Sequence, residues 1–510
     1  MRTKKAVFNN LSAASLQMIN LIFGLIIPRL MIQTYGSELN GLLSSSKQMV
    51  SYLRYLEMGI TTALIYTLYS PLAKSDFEEI NPLVTRSKNE YDKISFWYTI
   101  AVVILSIVYP IMLKEDIGYG TVFIIVLFVG LYGALDFLTL AKHRVLLMAD
   151  QRYYVITLST IFTIIFQNIT LIGLIYFEQS IILIAFAPII FLPLRSWFLN
   201  YYIKKHYSLI DYKVEPSKIK LESRKDAFIS GLANTLSVSL PIVIVSLVVS
   251  LEMASVFSVY SLVFLGISNI IGIFTSGMSA AFGNMFAKNQ KSIIKKGNNY
   301  YEFLIYILIT ILYASTLALI IPFINVYMGD VADINYVYPS IGILFTLWGV
   351  IHGTVIPNQT IINASGKWKL STKTNIIQII ILIIFTFVLG YFWDVNGILI
   401  GMILSSTVRT LSLMHISNKK ILDIGSSKNI LRIIRSIIII FIINVPLYYK
   451  FSMSSIDSFS KWIIYAVIIT FISSVVTIII NLLLDWKTVK ELLNRYIRKN
   501  NNVKLKEDID

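Results

Sequence analysis

Long apolar stretches recur along the whole chain and are separated by short polar connections. A membrane-spanning helix needs about 20 mainly apolar residues, because the hydrocarbon core of a bilayer is about 30 Å thick. The pattern predicts fourteen spans, at residues 9–32, 40–70, 94–113, 119–140, 154–177, 180–202, 228–250, 255–281, 302–326, 336–362, 375–393, 396–415, 432–449 and 461–484. Fourteen helices would use about 280 residues. That leaves short loops, so we predict an all-α polytopic membrane protein without a large soluble domain.

The composition agrees with lipid as the solvent. Of the 510 residues, 56% are hydrophobic and 14% are charged, whereas soluble domains carry about 25% charged residues. The chain has no cysteine and four histidines, which excludes disulfides and makes a dedicated metal or cofactor site unexpected. The net charge of +16 would suggest nucleic-acid binding in a soluble protein. In a polytopic protein the cytoplasmic loops collect Lys and Arg, so no nucleic-acid partner is predicted.

The basic residues are distributed unevenly between alternate connections. With a cytoplasmic N-terminus, the predicted outside connections hold only Lys114, Lys450 and Lys461 and are otherwise acidic. The inside connections hold nearly all the other loop cations, including seven in the loop near 203–226. Cationic loops resist translocation, so this asymmetry predicts that both termini are cytoplasmic.

Weak internal repetition predicts two halves. Residues 143–152 open the fifth span, and residues 358–367, about 215 positions later, open the eleventh with a similar polar and apolar pattern. Six spans separate the two segments, which predicts parallel six-helix repeats, an architecture of transporters with the substrate path between the halves. The predicted organisation is an N-terminal six-helix bundle (1–202), a cytoplasmic linker (203–227), a second bundle (228–415), two additional helices (416–484) and a basic cytoplasmic tail (485–510).

Charged residues inside the spans are the candidate functional residues, since a charge at the bilayer centre costs at least about 2.5–3.5 kcal/mol. Span two is the most polar, and Lys47, Ser51 and Arg54 recur at spacings of four and three, on one helical face. Such a stripe cannot face lipid, so we predict that it lines a water-filled cavity. The alternative is a structural ion pair between Arg54 and Glu57, which lies three residues further on.

Five other embedded residues carry charged or titratable side chains. Arg29 either reaches the cavity or snorkels to the outer interface, and Arg409 on the cytoplasmic half of span twelve either faces the cavity or does not. Arg195 is predicted to snorkel. Asp136 is either a coupling-ion site or the partner of Lys142 or Arg144, and His352 is either a proton relay or a hydrogen-bonded packing residue.

Several stretches resemble bacterial polysaccharide flippases of the Wzx type. They are 24–41 (GLIIPRLMIQTYGSELNG), 52–63 (YLRYLEMGITTA), 148–152 (MADQR), 362–367 (INASGK) and 396–401 (NGILIG). The resemblance covers nearly the whole chain in order. This group belongs to the polysaccharide-transport branch of a superfamily that also holds the lipid II flippase and the multidrug and toxin extruders.

The resemblance implies a carrier in the bacterial cytoplasmic membrane that moves undecaprenyl-diphosphate-linked oligosaccharide to the outer leaflet by alternating access. It implies that Arg29, Lys47, Arg54 and, less directly, Arg409 hold the anionic headgroup in a central cavity. A polymerase and glycosyltransferases of the same pathway are the implied protein partners. The eighth span, where the lipid II flippase carries an important Arg, has no basic residue between Ser255 and Phe286, which disfavours lipid II as the substrate.

Two alternatives remain open from the sequence. An ion-coupled exporter of small molecules on the same architecture would depend on acids such as Glu57 and Asp136. A membrane glycan polymerase would need a catalytic external loop or an embedded His with partners, and the sequence offers only His352. No phosphate-binding loop or hydrolase motif occurs, so we predict a protein that is not an enzyme.

Overall fold

The computed structural model describes residues 2–57, 60–113, 117–218, 225–275, 277–450, 456–492 and 494. In this part of the chain the protein is helical and has no strand, which confirms the all-α polytopic fold. The helices are α1 (Arg2–Leu53), a 3-10 turn (Arg54–Glu57), α2 (Ile60–Lys74), α3 (Phe77–Met112), α4 (Tyr119–Ala149), α5 (Tyr153–Tyr176), α6 (Ile181–Ile190), α7 (Leu192–His206), α8 (Lys225–Val248), α9 (Leu251–Thr275), α10 (Met278–Ala287), α11 (Lys291–Met328), α12 (Pro339–Ser365), α13 (Lys369–His415), a π-helical turn (Ile416–Leu422), α14 (Ser427–Lys450) and α15 (Phe459–Leu484). Residues 219–224 of the predicted linker, and 493 and 495–510 of the predicted tail, lie outside the described residues.

The long helix α1 turns back on itself at Gly36. Its first half runs along α5. At the start of α5, the Asn9 side chain accepts a hydrogen bond from the backbone N–H of Tyr154 at 2.7 Å. Just past the other end of α5, the Tyr35 hydroxyl donates to the carbonyl of Gln179 at 2.5 Å. Gly36 has φ +84°, a conformation that L side chains rarely adopt, and this residue ends the first half. The second half returns from Ser45, near the end of α3, toward Lys47 and the 3-10 turn.

The helix α13 is a hairpin of the same kind. Helical geometry is interrupted at Trp393 and Asp394. The two halves then lie side by side, because the Gln378 side-chain amide donates to the Ser405 hydroxyl at 2.8 Å. By length and composition, twelve helices among the described residues could cross a membrane. Counting α1 and α13 as two crossings each gives the fourteen spans of the sequence prediction, which stays a prediction.

The chain forms two compact units. The first contains residues 1–262, 330–334 and 390–395, and the second contains 263–329, 335–389 and 396–510. In the first unit, α2, α3, α4 and α7 pack around Leu64, Tyr91, Tyr98, Leu146 and Leu199, all almost fully buried. In the second unit, aromatic rings form much of the core, with Phe264 stacked on Phe345 at 4.8 Å between ring centroids.

Apolar side chains also cover much of the outer surface, where a soluble protein would carry charges. On α15, for example, Ile464, Val467 and Phe471 share one face and are 59%, 66% and 69% exposed. Water would make such a surface unfavourable by about 25 cal/mol per Å² of apolar area, whereas hydrocarbon does not. The exposed apolar helices identify a multi-pass membrane protein.

Candidate functional site

A cavity of about 400 Å³ lies within the first unit. Its walls come from α1, the 3-10 turn, α4, α5 and α6, all elements of that unit. Its volume falls in the range of about 300–1,000 Å³ that is usual for small-molecule sites. Most of the lining is apolar, with polar groups from Lys47, Gln48, Ser51, Arg54, Tyr132 and Gln167. Among the described residues that line the cavity, none is acidic.

One helical face supplies the cationic wall. Lys47, Ser51 and Arg54, the stripe predicted from the sequence, all line the cavity, and both cations are exposed to solvent. Arg54 follows α1 in the 3-10 turn and interacts with the hydroxyl of Tyr98. The wall therefore presents two basic side chains to the cavity.

Polar contacts anchor this half of α1 in a fixed position. The Ser45 hydroxyl lies 2.7 Å from the Tyr109 hydroxyl, which in turn lies 2.9 Å from Ser246 on α8. Asn40 donates to Ser255 at 2.8 Å, and a Cβ added to Gly41 would lie 1.7 Å from the carbonyl oxygen of Leu251. Only glycine permits this close approach of the two helix backbones, so Gly41 fixes where the cationic stripe sits.

The acids nearest the cationic stripe have arginine partners that the sequence alternatives did not propose. Glu57 accepts from Arg144 at 2.6 Å and from the Thr61 hydroxyl at 3.1 Å. Asp136 is paired with Arg195, whose side chain is buried, not snorkelling. Glu57 and Asp136 each have an arginine partner other than Arg54, although Arg54 also interacts electrostatically with Glu57.

Arg29 is not among the residues that line the cavity, although Ile27 and Met31 on the same helix are. Its guanidinium donates to Asp330 at 2.8 Å, and that carboxylate is 73% exposed. In the same segment, Asp333 accepts from the backbone N–H of Ser37 at 2.6 Å. These contacts hold residues 330–334 against the turn of α1.

Arg409 and His352 lie in the second unit, where they interact electrostatically with each other. Arg409 is 1% exposed, and the His352 ring stacks on Trp348 with 5.0 Å between centroids. Trp348 in turn donates to the Ser406 hydroxyl at 3.1 Å. Of the two residues predicted for cavity and relay roles, Arg409 is therefore buried and His352 is partly buried against an aromatic side chain.

A second charged cluster was missed by the sequence reasoning. Arg432 on α14 donates to Asp485, just past α15, at 2.8 and 2.7 Å, and lies 3.9 Å from Glu302 on α11. Lys428 also pairs with Asp485, at 3.2 Å. Burial raises the pKa of Asp485, but the Thr488 hydroxyl and Arg432 lower it more, so the net pKa is below the usual value. The signal was present in the sequence, since Glu302 and Arg432 are the first residues of two predicted spans.

In the part of the chain that the structure describes, no group of three or more His, Asp or Glu side chains could hold a metal ion. The cavity presents two cations and several hydrogen-bonding groups on an otherwise apolar wall. Such a wall suits an anion attached to a less polar body.

No family model and no curated protein matches the sequence. Solved structures do match the fold. An inward-facing multidrug resistance MATE family transporter of the MOP superfamily is 10% identical, with a TM-score of 0.67, over 85% of this chain and 96% of that chain. The lipid II flippase MurJ in an inward closed conformation is 16% identical, with a TM-score of 0.63, over 92% of this chain and 98% of that chain.

An outward-facing multidrug resistance MATE family transporter of the MOP superfamily is 12% identical, with a TM-score of 0.55, over 88% of this chain and 97% of that chain. At these identities the likeness is one of fold. The chain therefore has the fold of MOP-superfamily transporters along most of its length.

Proposed function

We propose that this protein is a flippase that moves undecaprenyl-diphosphate-linked oligosaccharide units across the bacterial cytoplasmic membrane for cell-surface polysaccharide synthesis. The observation that carries the proposal is the cavity in the first unit, with Lys47 and Arg54 on one wall and no acid among its described lining residues. The transporter fold, which includes the lipid II flippase MurJ among its examples, supports a transport role without enzyme chemistry.

The negative charge of such a substrate explains why the carrier would need a cationic cavity. A diphosphate cannot enter hydrocarbon unaided, because desolvating its charges is far too costly. Lys47 and Arg54 offer it charge-assisted hydrogen bonds in place of water, and a guanidinium matches phosphate oxygens in a bidentate manner. The polyprenyl tail needs no such partner and stays in the lipid. Alternating access of the cavity to the two sides of the membrane would then complete the transfer.

Substitution of Arg54 tests this proposal in cells. Arg54→Glu is expected to abolish surface polysaccharide while the protein still inserts, because a negative wall repels the diphosphate. Arg54→Lys should keep part of the export, since the charge remains and the bidentate geometry is lost. Lys93→Glu is the matched control, because Lys93 has a 69% exposed side chain on α3 and is not in the cavity lining. Normal export by Arg54→Glu would contradict the proposed substrate.

The second candidate is an ion-coupled exporter of small molecules, favoured by the likeness to the multidrug transporters. If the protein is such an exporter, an acidic side chain must bind and release the coupling ion, and Glu57 lies three residues after the lining residue Arg54. Energy-dependent dye efflux from vesicles, lost in Glu57→Gln and kept in Arg54→Glu, would favour this candidate. The opposite pattern, with no dye efflux and polysaccharide export lost in Arg54→Glu, would favour the flippase.

A further inference from the structure

A second cavity of about 400 Å³ lies within the second unit, between the two ends of the α13 hairpin. One wall is the first turns of α13, with Leu370, Lys373, Thr374 and Ile377. These residues are three or four apart, so they share one helical face. The other wall is the end of α13 and the π-helical turn, with residues 411, 412, 415, 416 and 420.

The polar groups of this cavity are cations and hydroxyls. Lys373 and Lys420 are exposed at its rim, and His415 adds an exposed imidazole. Thr374 and Ser412 supply two hydroxyls. No acid occurs among the described residues of the lining, so the cavity favours an anion with several oxygen atoms.

The apolar groups continue out of the cavity along the surface of α13. Ile377, which lines the cavity, is followed on the same face by Ile380 and Ile384, and the three are 41%, 50% and 51% exposed. A soluble anion has no apolar part that could contact these isoleucines. A phosphate ester on hydrocarbon chains fits both parts, with its headgroup at Lys373 and Lys420 and a chain along the isoleucines.

We propose that this cavity binds the headgroup of an anionic phospholipid from the leaflet on the predicted cytoplasmic side. The neighbouring connections carry further exposed cations at Lys367, Lys369 and Lys419, which attract an anionic membrane surface. Basic pockets between membrane helices on this side are suited to such headgroups. The inference concerns the second unit only and does not depend on the transported substrate.

Native mass spectrometry of the full-length protein with phosphatidylglycerol or phosphatidylcholine tests the proposal. The protein should retain phosphatidylglycerol and not phosphatidylcholine. Lys373→Gln/Lys420→Gln should bind phosphatidylglycerol about 30-fold more weakly, from about fivefold per basic residue near an anionic surface. The matched control is Lys291→Gln/Lys296→Gln, which removes the same charge from exposed residues of α11 and should bind as the parent does.

Competition experiments and one further variant identify the source of the bound anion. Inorganic phosphate at millimolar concentration should not displace the lipid, and an equal amount of undecaprenyl phosphate should displace no more than about half of it, as an equally bound phosphate ester would. Displacement by phosphate would indicate a soluble anion, and displacement of nearly all the phosphatidylglycerol by undecaprenyl phosphate would indicate a site for the substrate lipid; each overturns the proposal. Equal loss of binding in both double variants also overturns it. Ser412→Phe, which fills the cavity and keeps every cation, should reduce retention like the lysine variant.

Discussion

The carboxylate of Asp485 joins α14 and α15 through a buried charge cluster, and Asp485→Asn is expected to destabilise the protein by about 3–5 kcal/mol. Asp485 accepts from Arg432 at 2.8 and 2.7 Å and from the Thr488 hydroxyl at 2.6 Å, and it lies 3.2 Å from Lys428. Arg432 is 2% exposed, so water cannot replace the lost carboxylate. Its remaining acidic neighbour, Glu302, is 3.9 Å away.

The free energy of unfolding is measured on purified protein in detergent, from a denaturant titration followed by tryptophan fluorescence, with Trp486 beside the cluster. Arg432→Met should also destabilise the protein, because Asp485 and the buried Glu302 both lose a charged partner. The exposed pair Lys461–Asp457 is the control, and Asp457→Asn should leave the unfolding curve unchanged.

The pH dependence follows from the lowered pKa of Asp485. An aspartate whose folded pKa is below its unfolded value of about 3.9 stabilises the protein fully above that pH. The contribution is lost as the pH falls through the folded pKa. The difference between wild type and Asp485→Asn should therefore be constant at neutral pH and shrink only below about pH 4. A difference as small as that of the control at pH 7 would refute the reasoning.

Three further substitutions test other contacts, each followed by unfolding or by the yield of folded protein. Glu57→Gln should lower the free energy of unfolding by about 1–3 kcal/mol, because Arg144, at 2.6 Å, loses its charged partner; an unchanged value would contradict this. Gly41→Ala should sharply reduce folded protein, since the added Cβ meets the Leu251 carbonyl at 1.7 Å, whereas Gly24→Ala, with nothing within 4 Å, should not. Arg29→Gln should change the free energy of unfolding by less than about 1 kcal/mol, because its partner Asp330 is 73% exposed; a larger loss would show a structural role for the pair.

Some of these features follow from the sequence and others do not. The spacing of Lys47, Ser51 and Arg54 indicated one helical face, and all three line the cavity, because helical periodicity is a local property. The sequence did not predict the partners of Glu57 and Asp136. Arg144 is 87 residues from Glu57, and such pairings depend on how helices pack, which no single sequence window contains.

The breaks within α1 and α13 fall between spans that the sequence predicted, whereas the second charged cluster was not predicted. The hydropathy pattern separated 9–32 from 40–70 and 375–393 from 396–415, and the helical breaks fall at Gly36 and at Trp393 and Asp394. The second charged cluster was hidden because Glu302 and Arg432 lie at the predicted ends of spans, where charges are ordinary. Only the contact of three helices shows that Arg432 is buried.

If the proposed function is right, the cationic face of span two lines a water-filled chamber that attracts anions. The chain has no cysteine, so a single Ser51→Cys substitution places one thiol on this face without removing a charge. Thiol reagents that cannot cross membranes are added to right-side-out and inverted vesicles, one reagent carrying a sulfonate and one a quaternary ammonium. Phe162→Cys, at an exposed apolar position on α5, is the control and should not react.

Ser51→Cys is expected to react with both reagents from at least one side, and faster with the sulfonate. Adding Arg54→Gln should remove much of that preference, because one of the two cations on the wall is gone. A thiol at position 51 that is as unreactive as the control, or that prefers the cationic reagent, would contradict the claim.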